Sequence, residues 1–159
     1  MKRRLFLGLL PALLLVVPTG ICSPANPNFS GTWKQSNERS IPTRTGKVVV
    51  QIDHQDPDMT VETTILRGSA VPRHAVQRYT TDGKTSTSTG ADGDEFHTSV
   101  VWSGPTLVFS VEEHEDGRII SSRETWTLIE NGAVLKRRRQ RTGTAGDQTI
   151  IYLRDTPKP

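Results

Sequence analysis

Four runs of alternating apolar residues between 94 and 142 are separated by Gly104-Pro105, Asp116-Gly117 and Asn131-Gly132. Dipeptides of this kind tolerate positive φ and make tight hairpins, so each one predicts a register for its flanking strands. A turn at Gly104-Pro105 sets Trp102 opposite Leu107 and Val100 opposite Phe109. Asp116-Gly117 sets Leu107 opposite Trp126 and Phe109 opposite Glu124. Asn131-Gly132 sets Leu128 opposite Leu135, Trp126 opposite Arg137 and Glu124 opposite Arg139. All three place one set on a shared face: Phe96, Val100, Trp102, Leu107, Phe109, Val111, Ile120, Trp126, Leu128 and Leu135. A one-residue slip in any hairpin would break the agreement, so this face is expected inside.

The rest of the chain keeps the same rhythm and has no sustained helical periodicity. Strands are expected over 29–36, 46–54, 58–67, 72–81, 84–89, 94–103, 106–115, 118–130, 133–142 and 147–154. Asp82-Gly83 reads as another hairpin tip, and Gln55-Asp56-Pro57-Asp58 as a turn. Val48, Val50, Ile52, Val61 and Ile65 face inward from the early hairpin. The polar break at 37–45 could cross or lid one end. Short antiparallel connections give an up-and-down meander, and a meander this long hides its edges by closing. The expected fold is all-β, a single antiparallel barrel of about 8–10 strands.

The first 25 residues read as a signal peptide: a basic start at Met1-Lys2-Arg3-Arg4, an apolar run from Leu5 to Val17, then Pro18, Gly20 and small residues. The run is short for a membrane span, so no transmembrane segment is expected in the barrel domain at 26–159. Cys22 is not read as a lipid anchor, because Ile21 before it is not small. The chain is expected to be exported to the periplasm or beyond, by the general route or the twin-arginine route that Arg3-Arg4 partly matches. Its 20 Lys+Arg and 17 Asp+Glu give a net charge of +3. Lys2, Arg3 and Arg4 leave with the signal, so the domain is formally neutral and offers no reason to expect nucleic acid as a partner. With Cys22 the single cysteine, the domain has no disulfide. A monomer is expected.

Lys136-Arg137-Arg138-Arg139-Gln140-Arg141 is the sharpest departure from a plain barrel strand. Alternation sends Arg137, Arg139 and Arg141 inward and Lys136 and Arg138 outward. An inward arginine needs a partner. Glu124 opposite Arg139 is one, and the Trp126 ring beside Arg137 offers a cation–π surface. Two readings follow: a cationic spot that orients an acidic ligand head, or arginines paired with Glu124 near the barrel mouth. An even-length loop before the last strand would add Ile150, Tyr152 and Arg154 to the inner face, making an anion clamp of Tyr152 and Arg154 conceivable. The ligand-binding set is therefore Arg137, Arg139, Trp126, Glu124, Phe109, Trp102 and Tyr152.

No catalytic constellation is present. His54, His74, His97 and His114 are dispersed along the chain without metal-ligand spacing, and no serine sits in a nucleophile elbow. No metal, no cofactor and no enzymatic activity are expected.

Phe29-Ser30-Gly31-Thr32-Trp33-Lys34 resembles the first strand of calycin barrels, the lipocalins and fatty-acid-binding proteins. With Tyr79-Thr80-Thr81-Asp82-Gly83-Lys84, Trp102-Ser103-Gly104, Glu124-Thr125-Trp126-Thr127-Leu128 and Ile150-Ile151-Tyr152, nearly the whole domain resembles a set of uncharacterised exported bacterial proteins described as lipocalin-like. The resemblance implies a barrel that binds small molecules, and it implies that Arg154 packs across Trp33 as a late arginine does in lipocalins. Two features depart from fatty-acid-binding proteins: 35–45 is too short for their helical lid, and Tyr152-Leu153-Arg154 reverses their Arg-x-Tyr order. The function expected is non-enzymatic binding of a small apolar or amphipathic molecule. The alternative is a structural or interaction protein of the cell envelope with a side-chain-filled barrel.

Overall fold

The computed structural model describes residues 25–68, 71–90, 93–141 and 146–155. The expected signal segment up to residue 24, and Cys22 within it, lie outside the described residues. Ten strands follow one another: β1 (Gly31–Ile41), β2 (Lys47–Gln55), β3 (Asp58–Leu66), β4 (Arg73–Thr80) and β5 (Asp82–Thr89). The second half comprises β6 (Glu95–Ser103), β7 (Thr106–Glu115), β8 (Arg118–Ile129), β9 (Val134–Arg141) and β10 (Gln148–Arg154). They form one antiparallel sheet in the order β4-β3-β2-β1-β10-β9-β8-β7-β6-β5. The barrel is nearly closed, with the ladder interrupted between β4 and β5. Among the described residues no helix is long and apolar enough to cross a membrane.

The three hairpin registers are as the turns predict. Trp102 pairs with Leu107, Leu107 with Trp126 and Phe109 with Glu124, and Trp126 with Arg137. The face they share is the core: Val100, Leu107, Phe109, Trp126 and Leu135 are buried with Val50, Ile52, Met59 and Val61 from the early strands. Ile150 pairs with Arg137 and Tyr152 with Leu135, so β10 turns the same parity inward.

Local chemistry differs from expectation in three places. Asp82-Gly83 is not a hairpin tip. Gly83 has φ +86° and lies in a bulge between Asp82 and Thr85 on β5, with Thr81 alone linking β4 to β5. Asn131-Gly132 belongs to a four-residue turn, 130–133, in which Glu130 and Asn131 also take positive φ. The register survives because Ile129 still meets Val134. Finally, 37–41 continues β1 rather than leaving it. The Ser40 hydroxyl accepts from the Ile151 amide at 3.1 Å and donates to the Ser36 carbonyl at 2.7 Å, carrying the ladder through a bulge that a polar side chain can bridge.

The meander gives the barrel two unlike ends. One end gathers the short connections at 56–57, 81, 104–105 and 130–133, and it is filled. Phe29 and Trp33 are fully buried there, and Phe29 packs on Trp102 and His54 with ring centroids 6.0 and 5.9 Å apart. Trp33 donates its indole N–H to the Phe29 carbonyl at 3.0 Å. The Arg154 guanidinium lies over the Trp33 ring at 4.1 Å and donates to the carbonyls of Ser30 and Gly132 at 2.6 and 2.9 Å. Gly31 makes this possible: its φ is +136°, and a Cβ there would stand 2.6 Å from Arg154 Nη1.

Candidate functional site

The opposite half of the barrel is hollow. A cavity of about 630 Å³ runs from the filled end toward the longer connections and is walled by β3 to β9. Its volume falls within the range of small-molecule sites. Aromatic rings make the floor: Phe109 lies 4.6 Å from Trp126 in a tilted stack, and Tyr79 meets Phe109 edge-on at 5.5 Å. Ile65, Phe96 and Val111 continue the apolar wall, while Thr63, Gln77, Thr98 and Ser122 add hydroxyl and amide groups. Arg73, His74, Glu113 and Arg141 lie farther along, toward the open end.

The charged part of the wall is built by alternation on β9. Arg137, Arg139 and Arg141 line the cavity, whereas Lys136 and Arg138 are exposed on the outside and Arg138 pairs with Asp147 at 2.7 Å. Glu124, on the neighbouring strand, is the hub. Its Oε1 accepts from Arg137 Nε at 2.5 Å and from the Trp126 indole at 2.6 Å, and its Oε2 accepts from Arg139 Nε at 3.0 Å. The Arg137 guanidinium also lies over the rings of Trp126 and Tyr152, at 4.4 and 5.6 Å. Arg141 pairs with Glu113.

Electrostatics follow from this packing. Burial alone would push the Glu124 carboxyl up, but the charges of Arg137 and Arg139, aided by hydrogen bonds from Arg137 and Trp126, hold it down at about 2. Burial works against the Arg137 cation too, yet Glu124 keeps it above the ordinary arginine range. Tyr79 is pushed up to about 12, mainly by burial, and so stays a neutral hydrogen-bond donor. Four arginines of the cavity wall, Arg73, Arg137, Arg139 and Arg141, thus face two carboxylates, Glu124 and Glu113, leaving two positive charges in excess. The side chains differ in access: Arg137 is 16% exposed, Arg139 41%.

Five of the seven residues expected at the site meet in this cavity: Arg137, Arg139, Trp126, Glu124 and Phe109. Two do not. Trp102 belongs to the filled end, where its indole donates to Asp56 at 2.9 Å and helps the Thr81 hydroxyl hold that carboxyl below its ordinary value. Tyr152 is buried behind Arg137 rather than in the cavity wall. Arg154, over Trp33, takes no part in a clamp with Tyr152. Conversely, Tyr79, Arg73 and His74 line the cavity but are not legible as site residues in the sequence, because no tight turn before β4 supplies its register. Pairing of Met59 with Tyr79 puts that ring inside.

The histidines are also less dispersed than their spacing along the chain implies. His54 is buried in the filled end, its Nδ1 accepting from the Phe29 amide at 3.2 Å. His97 and His114 lie side by side on the outer face of β6 and β7, ring centroids 4.6 Å apart.

No family model matches the chain, and no curated protein matches its sequence. Solved structures match its fold. Lipid binding protein 8 of Caenorhabditis elegans superposes with a TM-score of 0.58 at 12% identity, over 80% of this chain and 95% of that one. Secretory abundant heat soluble protein 4 of Ramazzottius varieornatus gives 0.60 at 12% identity, also over 80% and 95%. The zebrafish ileal bile acid-binding protein in complex with cholic acid gives 0.54 at 16% identity, over 78% and 95%. At these identities the likeness establishes the architecture alone, a nearly closed antiparallel β-barrel.

Proposed function

We propose that this barrel binds a small amphipathic molecule with an acidic head, without catalysing a reaction, and that it does so as an exported protein. The observation that carries the reading is the pairing of an aromatic floor with an excess guanidinium. Glu124 is saturated by three donors, so Arg139, anchored by its Nε and still 41% exposed, is the cation available to a second anion. The apolar body of a ligand would lie against Phe109, Tyr79 and Trp126, and its carboxylate or similar group would meet Arg139 and Arg141. Similar barrels are those of a lipid binding protein and of a bile acid-binding protein holding cholic acid. The basic-then-apolar start of the chain supports export.

Titration with oleate, cholate and the uncharged oleyl alcohol tests this reading. The acids are expected to bind at least tenfold more tightly than the alcohol, since a charge-assisted hydrogen bond contributes about 1.5–3 kcal/mol. Arg139→Ala is expected to erase that preference while leaving stability within about 1 kcal/mol, because a pair this exposed contributes little. Absence of binding by all three would instead favour the structural or interaction role, which the packing of Phe29, Trp33 and Trp102 in the filled half also supports.

A further inference from the structure

Outside the cavity, the β6–β7 hairpin carries four polar residues in a square. Glu95 pairs with His114, and His97 with Glu112. Their neighbours Phe96, Thr98, Val111 and Glu113 line the cavity, so alternation puts all four on the outer face. One donor atom from each of His97, Glu112 and His114 lies within 4.8 Å of the other two. Directly opposite residues on paired strands keep their Cβ atoms about 5 Å apart, so two adjacent pairs can aim at one point without moving the backbone.

Two further observations set this square apart from ordinary charged surface. Nε2 of His114 is buried and has no hydrogen-bond partner. A nitrogen that has left water and gained nothing is costly, and a bound cation would remove that cost. His97 Nε2 lies 2.8 Å from Glu95 Oε1. An ionised carboxylate accepts, so the proton sits on Nε2 and the Nδ1 lone pair is left for a ligand. This is the carboxylate–histidine arrangement that orients metal-binding imidazoles.

We propose that His97, Glu112 and His114 bind a divalent transition-metal cation of the zinc class on the outside of the barrel, with Glu95 positioning His97. Two imidazole nitrogens and one carboxylate oxygen suit zinc, copper or nickel better than calcium or magnesium, which take oxygen shells. Bonds of about 2.0–2.1 Å put tetrahedral donors about 3.4 Å apart, so the donors must draw together by up to about 1.4 Å. Side-chain rotation supplies that, since Glu112 is exposed and His97 partly so. Three protein donors leave a fourth position for water or an outside ligand.

The test is titration of Zn²⁺ into the full chain, carrying no polyhistidine tag, in competition with a chromophoric chelator. One ion per chain with a roughly micromolar or tighter Kd is expected. His97→Asn, His114→Asn and Glu112→Gln should each weaken binding by tenfold or more. Glu95→Gln should weaken it by about tenfold while keeping the stoichiometry, as loss of an orienting carboxylate does. His74→Asn, at the cavity, should change nothing. Circular dichroism verifies folding, and the exposed Glu112→Gln keeps the test decisive where a histidine variant fails to fold. Less than one ion per chain, binding unchanged in Glu112→Gln and His97→Asn, or binding lost in His74→Asn overturns the proposal.

Discussion

Gly31 and Arg154 stand 123 positions apart and form one device. The guanidinium covers the Trp33 ring and caps two carbonyls, and it occupies the space a side chain at 31 would need. Gly31→Ala therefore faces two costs, a φ of +136° that alanine resists and displacement of an anchored arginine. Together these should lower stability by about 2–4 kcal/mol. In an Arg154→Ala background the same change should cost only the backbone part, about 1–2 kcal/mol. Denaturant unfolding of the four members of this double-mutant cycle measures the difference. Additive losses would mean that the two residues are not coupled.

Among the strands, β4 and β5 are the exceptions. Each is hydrogen-bonded to one neighbour, whereas every strand between them in the sheet order has two. Thr81 alone links β4 to β5, the Gly83 bulge lies within β5 in its pairing with β6, and the edges of β4 and β5 that face each other are unpaired. Thr, Ser and Lys on β5 keep that edge polar, which disfavours pairing with another chain. Local opening should concentrate here. Native-state hydrogen exchange is expected to show amides of β4 and β5 exchanging well before those of β7 and β8, which share the longest two-strand ladder and are each paired on both sides. Uniform protection around the barrel would contradict a gap between these strands. The same gap borders the cavity, since Arg73 to Gln77 and Ser88 to Gly90 are in its wall, so ligand entry and edge opening are expected to involve the same strands.

At the scale of the whole molecule, one half of the barrel is packed and the other half hollow, with the Glu124 triad between them. The Glu124 carboxyl is held at about 2 against an ordinary 4.5. A depressed carboxyl stabilises the fold above its unfolded-state value and loses that contribution as pH falls through the folded one. Stability should therefore drop by roughly 3 kcal/mol between about pH 4.5 and 2 from this group alone. Glu124→Gln should remove that component of the acid transition. At neutral pH it should lower stability by about 3–5 kcal/mol, because Arg137 is left buried without its counter-charge. Urea unfolding across this pH range, for both proteins, tests the sign and the window. An unchanged acid limb in Glu124→Gln would assign the acid sensitivity elsewhere.

The strand registers from β6 to β9, the apolar inner face and the inward arginines are all legible in the sequence, because each tight turn imposes a parity and the three parities agree. Glu124 opposite Arg139 followed from the same count. The outer-face neighbours were equally implied by it, since a register that pairs Thr98 with Val111 also pairs His97 with Glu112. Spacing along the chain hid them. Other features depended on distances between segments that no local rule relates. Trp102 and Tyr152 have the right parity for the cavity, yet which half of the barrel is hollow depends on where Phe29, His54 and Asp56 fill it. The connection between β4 and β5 is likewise hidden: Thr81 alone makes it, while Asp82-Gly83, which looks in sequence like a hairpin tip, lies inside β5. Parity along a strand is a local property with a period of two, whereas depth along the barrel axis is set by the packing of all ten strands together.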